Sequence, residues 1–279
     1  MYKINTDEYK VLSKYIMDIS GILLEEGKEY LIETRLTPLL DELGCKSFSE
    51  LYYKARMDNT KSVEKKIIDN ISTNETYFFR DKAPFELIQH KIIPDLIDSR
   101  SQNTRPGESI KIRIWSAASS TGQEIYSIII MLKELYLDPQ KYEIQLLGTD
   151  ISNSAIVRAS YGKYNKFEIA RGLPPEKVRK YFIPDGDGWK IKDELRSMAT
   201  FKKINLMDSL AGMGKFDIVL CRNVAIYFAP EERSRLYRKI ASTMEKDGYL
   251  IIGATESLTN DTNLFEPQKY LRSVFYQLK

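Results

Sequence analysis

Hydrophobic positions in the first 70 residues recur at helical spacing. Tyr9, Leu12, Ile16 and Ile19 step by three, four and three residues, and Gly21 punctuates the end of that stripe. Ile32, Leu36, Leu39, Leu40 and Leu43 share one face of a second helix, which Pro38 is expected to bend and Gly44 to stop. Ser47 to Glu50, SFSE, has the form of a capping box, in which the Ser and Glu side chains satisfy each other's orphan backbone donors. Val63, Ile67, Ile68 and Ile71 form another stripe, so this part reads as a small helical bundle.

From residue 109 the period changes to two. Ile110, Ile112 and Ile114 alternate with Lys111 and Arg113, the pattern of a strand with one face toward a core. A helix follows over Gly122 to Leu135, then a strand over Ile144 to Leu147 that ends at Gly148-Thr149-Asp150. Ser152 is placed to cap the next helix, which carries Ala155, Ile156 and Ala159. Phe216 to Cys221 reads as a buried strand. Pro230 opens a helix through Leu236, Ile240 and Met244, Gly248 closes it, and Tyr249 to Ile252 is the next strand. Strands alternating with helices of this length mean a parallel, doubly wound sheet. Ser99 to Ser109 is polar and turn-rich, a loop leading into the sheet. No repeat or low-complexity tract interrupts the pattern.

Composition narrows the function. The 279 residues carry 42 basic and 39 acidic side chains, a net charge of +3. That is too balanced for a nucleic-acid surface. Residues 1–70 hold 11 basic and 13 acidic groups. The longest apolar run, Val224 to Ala229, is far below the about 20 residues of a membrane span. The first ten residues lack the apolar stretch of a secretory signal. Two cysteines, Cys45 and Cys221, are too few for a disulfide framework or a zinc site. A reduced, cytoplasmic protein without a metal is expected. The single histidine, His90, lies in a helical stretch, which excludes HExxH zinc chemistry and disfavours a Ser-His-Asp triad.

In an open parallel sheet, ligands bind beyond the carboxyl ends of the strands. After the first strand comes WSAASSTG, Trp115 to Gly122, then Gln123 and Glu124. Small residues let the backbone approach a ligand, and Gly122 permits a turn that a side chain would resist. The loop is not GxGxxG, which disfavours a dinucleotide. Glu124 either favours the helix dipole or holds a ligand ammonium group. Asp150, ending the second strand, is placed either to accept from both hydroxyls of a ribose or to serve as a turn aspartate. Asn223 offers a donor and an acceptor after the third, and Tyr227 an aromatic face with a hydroxyl. A ribose-binding acid without a phosphate cradle points to a nucleoside lacking pyrophosphate, and S-adenosylmethionine (SAM) fits.

These blocks resemble the CheR family, the chemotaxis receptor glutamate methyltransferases, over nearly the whole chain. The resemblance rests on STNETYFFR (Ser72 to Arg80), WSAASSTG, and FDIVLCRN (Phe216 to Asn223) with Ile226-Tyr227-Phe228. It implies a Rossmann-like α/β methyltransferase domain over 76–279, with a short β-subdomain around 183–201. A helical, receptor-contacting domain over 1–75 precedes it. The implied reaction is esterification of glutamate γ-carboxylates on the cytoplasmic helices of chemoreceptors, with S-adenosylhomocysteine (SAH) as product. By motif matching, Asn74, Thr76, Arg80, Glu124, Asp150, Asn205, Leu206, Asn223 and Val224 line the cofactor site. Arg80 and Tyr227 are the implied catalytic pair. Read on its own, Arg80 ends an aromatic cluster that is either a core-packed connector or a mount for its guanidinium fork, which can engage the cofactor's or the substrate's carboxylate.

The chain departs from the family pattern at Gln123 and Ile125, where the family usually reads a second acidic residue and proline. The insert between Phe182 and Phe201 looks short, with its turn at Asp185 to Gly188. Independence from a tethering peptide at the receptor C-terminus is therefore expected. Any positive patch on the helical domain must be local, around Arg35, Lys46, Lys54 and Arg56. Two competing readings are a methyltransferase for RNA or a small molecule, and a catalytically idle SAM-binding module.

Overall fold

A computed structural model describes every residue except Met1, Asn103, Pro106 and Tyr136. The first four helices are α1 (Thr6–Ser20), α2 (Glu29–Leu43), α3 (Phe48–Met57) and α4 (Ser62–Ile71). They enclose one core in which Leu12, Ile16, Ile32, Leu36, Leu40, Leu51 and Ile67 are buried, the faces that the spacing selects. Asn5 caps α1 in a full capping box with Glu8, and left-handed Gly21 ends it. The box at Ser47 is only half formed. Its hydroxyl accepts from the Glu50 N–H, but the Glu50 carboxylate takes the N–H of Lys46, which the turn at left-handed Gly44 leaves outside any helix. Helix α2 runs on through Pro38 to Gly44.

After a connector come α5 (Ala83–Leu87), one π turn (Ile88–Ile92) and α6 (Ile93–Ser101). Pro94 has no N–H to bond the carbonyl of His90, and the ladder widens just before it. His90 is exposed in that turn. Because α6 reaches Ser101, the first residues of the expected loop are helical; Asn103 and Pro106 of that loop lie outside the described residues.

The α/β part runs β1 (Ile110–Ala117), α7 (Gln123–Glu134), β2 (Tyr142–Asp150), α8 (Asn153–Tyr161), β3 (Lys163–Asn165), α9 (Lys166–Ala170) and α10 (Pro175–Tyr181). It continues with β4 (Phe182–Asp185), β5 (Gly188–Ile191), α11 (Asp193–Arg196), β6 (Ala199–Lys203) and β7 (Phe216–Cys221). A 3-10 turn (Ala225–Tyr227), α12 (Pro230–Thr243), β8 (Met244–Ile252), β9 (Phe265–Tyr270) and β10 (Ser273–Leu278) complete it. The large sheet has the order β6-β2-β1-β7-β8-β10-β9, with β6 through β8 parallel and β10 antiparallel to both neighbours. Both faces are covered. Ile218 and Leu220 belong to one core cluster, while Val219 and Cys221 belong to the other, which is why β7 reads as an unbroken apolar run. Among the described residues no helix is long and apolar enough to cross a membrane.

Two readings of the sequence are corrected. Gly248 does not close α12, which ends at Thr243; it lies inside β8. A side chain there would crowd the carbonyl of Glu245 at 2.9 Å and those of Phe216 and Asp217 at 3.2 and 3.3 Å, where the β7–β8 register shifts. The β-subdomain is also redrawn. Its sheet, β3-β5-β4, begins at Lys163, and residues 199–203 belong to the large sheet as the edge strand beside β2. A short strand carries no local sign of which sheet it joins, because parallel pairing is long-range.

Candidate functional site

The chain leaves β1 toward β2 on one side and returns to β7 on the other, so strand order reverses between β1 and β7. A cavity of about 360 Å³ opens there, beyond the strands' carboxyl ends. All ten residues singled out from the sequence line it: Asn74, Thr76, Arg80, Glu124, Asp150, Asn205, Leu206, Asn223, Val224 and Tyr227.

The loop after β1 is built from left-handed residues, Ala118 (φ 61°), Ser120 (φ 51°) and Gly122 (φ 93°). A Cβ on Gly122 would sit 3.0 Å from the Ala159 methyl, so glycine lets the loop close against α8. The loop is pinned to the end of β2. Ser119 N–H donates to the Thr149 carbonyl (2.7 Å), and Ser120 N–H donates to Asp150 Oδ2 (2.9 Å). Ser152 N–H donates to Asp150 Oδ1 (2.9 Å). Asp150 is 7% exposed, and burial raises its pKa against the pull of these N–H groups. No cation faces it. A buried carboxylate so placed accepts hydroxyl donors and repels a phosphate.

Arg80 sits on the connector from α4. Phe78 is fully buried with its ring edge-on to Tyr164 at 5.0 Å, and Phe79 N–H donates to Ser127 Oγ (2.9 Å). The aromatic cluster is thus a core anchor, and Arg80, next in the chain, reaches the cavity. Its Nη1 donates to the Glu75 carbonyl (2.9 Å). Glu124 accepts from Ser116 Oγ (2.8 Å) and from the buried Arg222 guanidinium (2.6 Å).

Asn223 adopts a left-handed conformation (φ 56°) after β7. Glu256 Oε2 holds it there, accepting from the N–H groups of Asn223 (2.8 Å) and Gly253 (2.6 Å). Gly253 must lack a side chain, since a Cβ would lie 2.4 Å from that oxygen. Burial raises the Glu256 pKa in spite of both donors. Neither Glu256 nor Arg222 is assigned a role by the sequence; extending the search four residues past the end of β8 finds the first.

The helical domain forms the opposite wall. Ile22, Leu23, Lys28 and Arg35 line the cavity. Leu23 N–H donates to the Tyr227 carbonyl (2.8 Å), and Asn205 Nδ2 donates to the Ile19 carbonyl (3.0 Å). Asp69 Oδ1 accepts from Ser152 Oγ (2.8 Å). Arg35 therefore does not join a surface patch. Its guanidinium donates to the Ile71 carbonyl and Thr73 Oγ1, while Lys54 is drawn to the Leu43 carbonyl at the end of α2.

The lining suits SAM in kind: Asp150 and Glu124 are carboxylates of the sort that hydroxyls and an ammonium require, and Leu206 and Val224 give apolar wall. Ser119 Oγ, in the same lining, is buried without a partner among the described residues.

Comparison with known proteins agrees. The family model described as CheR methyltransferase, SAM binding domain matches residues 74–273, and that described as CheR methyltransferase, all-alpha domain matches residues 7–71. A chemotaxis protein methyltransferase of Vibrio parahaemolyticus is 38% identical over 279 residues, covering 99% of this chain and 98% of that one. Chemotaxis protein methyltransferase Cher2 of Pseudomonas putida is 37% identical over 276 residues, with 98% of each chain covered. The Borreliella burgdorferi chemotaxis protein methyltransferase is 39% identical over 267 residues, covering 94% and 92%. With both domains matched in order and the cavity built at the sheet's switch point, the chain belongs to the CheR methyltransferase family and is a SAM-dependent methyltransferase.

Proposed function

We propose that the enzyme esterifies glutamate γ-carboxylates on the cytoplasmic helices of chemoreceptors. The observation that carries this reading is the cavity's choice of groups. Lys28, Arg35, Arg80 and Arg222 line it beside Glu25, Glu75, Glu124 and Asp150, and its described lining includes neither histidine nor cysteine. Such a site suits an anionic acceptor that needs no general base. A glutamate is already ionised near neutral pH.

SAM supplies a methyl group on a sulfonium. The chain's residues bind and orient. Asp150 would accept from the ribose hydroxyls, Glu124 would face the ammonium, and Asn223 and Asn205 would hold the nucleoside with Leu206 and Val224. Arg80 and Tyr227 flank the reacting end, Arg80 with its two-pronged guanidinium toward a carboxylate. Asn74 and Thr76 carry the connector across the cavity. Attack joins an anion to a cation, so charge falls in the transition state and a site that excludes water favours it. Positioning supplies much of the rest.

In this reading residues 1–75 contact the receptor, 76–279 carry catalysis, and the protein works in the cytoplasm without nucleic acid. The β4–β5 hairpin turns at Gly186-Asp187, which supports independence from a receptor C-terminal tether. The experiment is transfer of labelled methyl from SAM to a receptor cytoplasmic fragment. Base-labile incorporation, unaffected by a competing receptor C-terminal peptide, is expected. Base-stable label would overturn the carboxylate, and measurable affinity for the peptide would overturn the tether claim.

A further inference from the structure

We infer that Arg222 is a positioning residue that holds the two grips on the cofactor's amino-acid end, Glu124 and Arg80, in register with each other. The inference rests on the reading of Glu124 given above and takes, for Arg80, the alternative in which its guanidinium meets the cofactor's carboxylate.

The Arg222 side chain is 2% exposed and leaves β7 directly behind the cavity. One of its nitrogens, Nη1, donates to Glu124 Oε2 at 2.6 Å. The other, Nη2, donates to the Arg80 carbonyl at 3.0 Å and to Asp81 Oδ2 at 2.7 Å. Three segments far apart in sequence therefore meet on one guanidinium: the strand end after β7, the first turn of α7 and the connector that carries Arg80. The connector needs holding. Phe79 (φ 52°), Asp81 (φ 65°) and Lys82 (φ 30°) all lie in the left-handed region, which non-glycine residues rarely occupy without support. Among its supports are the Phe79–Ser127 bond on one side of Arg80 and the Arg222–Asp81 pair on the other. Glu124 alone could be turned by Ser116, and Arg80 alone by Glu75. Among the described residues only Arg222 hydrogen-bonds to both. A planar fork with fixed donor directions sets their relative position, and a lysine ammonium cannot make the three bonds at these angles.

The test compares two ligands on the full-length protein. SAH carries the amino-acid tail. 5′-Methylthioadenosine keeps the adenosine and sulfur but ends in a methyl group, so it meets Asp150 and Asn223 without needing either grip. Calorimetry of Arg222→Lys is expected to show roughly tenfold weaker SAH binding and 5′-methylthioadenosine binding within about twofold of the unaltered protein. Asp81→Asn, at a partly exposed residue outside the cavity lining, is expected to give a smaller loss of about threefold for SAH alone, and it carries the test if Arg222→Lys does not fold. Equal loss for both ligands would make Arg222 a general structural residue, and no loss for either would leave it no positioning role; each result overturns the inference. An unaltered protein that binds both ligands equally would instead overturn the reading of Glu124 and Arg80 beneath it. None of these outcomes depends on the receptor.

Discussion

The two walls of the cavity are built on different principles. The floor consists of strand ends whose polar groups are fixed within the same domain: Asp150 accepts from the N–H groups of Ser120 and Ser152, and Asn223 donates its N–H to the Glu256 carboxylate. The opposite wall comes from a helical domain with its own core. It meets the floor through a few bonds, Leu23 to Tyr227, Asn205 to Ile19 and Asp69 to Ser152. The difference assigns roles. A floor whose groups cannot turn suits a constant ligand such as the cofactor. A separately folded wall can carry substrate contacts without disturbing it.

The sharpest way to break this comparison is to empty the helical core. Ile16→Ala should cost about 2–5 kcal/mol, chiefly in the helical domain. Receptor labelling is expected to fail on warming before SAH binding does. Simultaneous loss of both would merge the two walls into one folding unit. On the floor, Asp150→Ala removes a charged acceptor worth roughly 1.5–3 kcal/mol, on the order of 10–100-fold in SAH affinity. An unchanged dissociation constant would remove the ribose from that site. Glu256→Ala should release Asn223 and weaken SAH binding about tenfold, roughly 1.4 kcal/mol, whereas Glu256→Gln, which keeps an accepting oxygen, should restore most of it. At the seam, Asp69→Ala is expected to cost about 1 kcal/mol of stability, read by denaturant titration, with little change in affinity.

The smallest effect is a pH dependence with two opposite signs. Burial holds Asp150 and Glu256 above their ordinary values of 3.8 and 4.5, so the fold binds their protons more readily than the open chain does. The ligand-free protein should therefore lose stability as pH rises from those ordinary values through the raised ones. Ribose hydroxyls donating to Asp150 favour its charged form, so SAH affinity should rise over the same window. Denaturation and calorimetry at matched pH values check both, and parallel trends would exclude this assignment of Asp150.

Much of this was legible along the chain. The stripes Leu12-Ile16 and Ile32-Leu36-Leu40 gave the helical core, because a helix writes its buried face at a fixed local spacing. The alternation at Ile110 to Ile114 and the placement of Glu124, Asp150 and Asn223 after strands led to the cavity lining, because parallel strands deliver ligand groups at their carboxyl ends. Gly248 failed as a helix stop, since it lies inside a strand where carbonyls of β7, as well as that of Glu245 in its own strand, crowd the space a side chain would take. The strand at 199–203 was misassigned because its parallel pairing with β2 is long-range.

The sequence by itself determined the helices of the bundle, the strands β1, β2, β7 and most of β8, their buried faces and the residues at their ends, since all of these are written in local periodicity. Only the tertiary structure decided that Arg35 turns to the cavity, that Glu256 holds Asn223, and that Arg222 joins Glu124 to Arg80 and Asp81. Those bonds connect residues 33 to 142 positions apart. No spacing rule encodes such pairs, because their partners become neighbours only when the sheet has closed and each buried charge must find its counterpart.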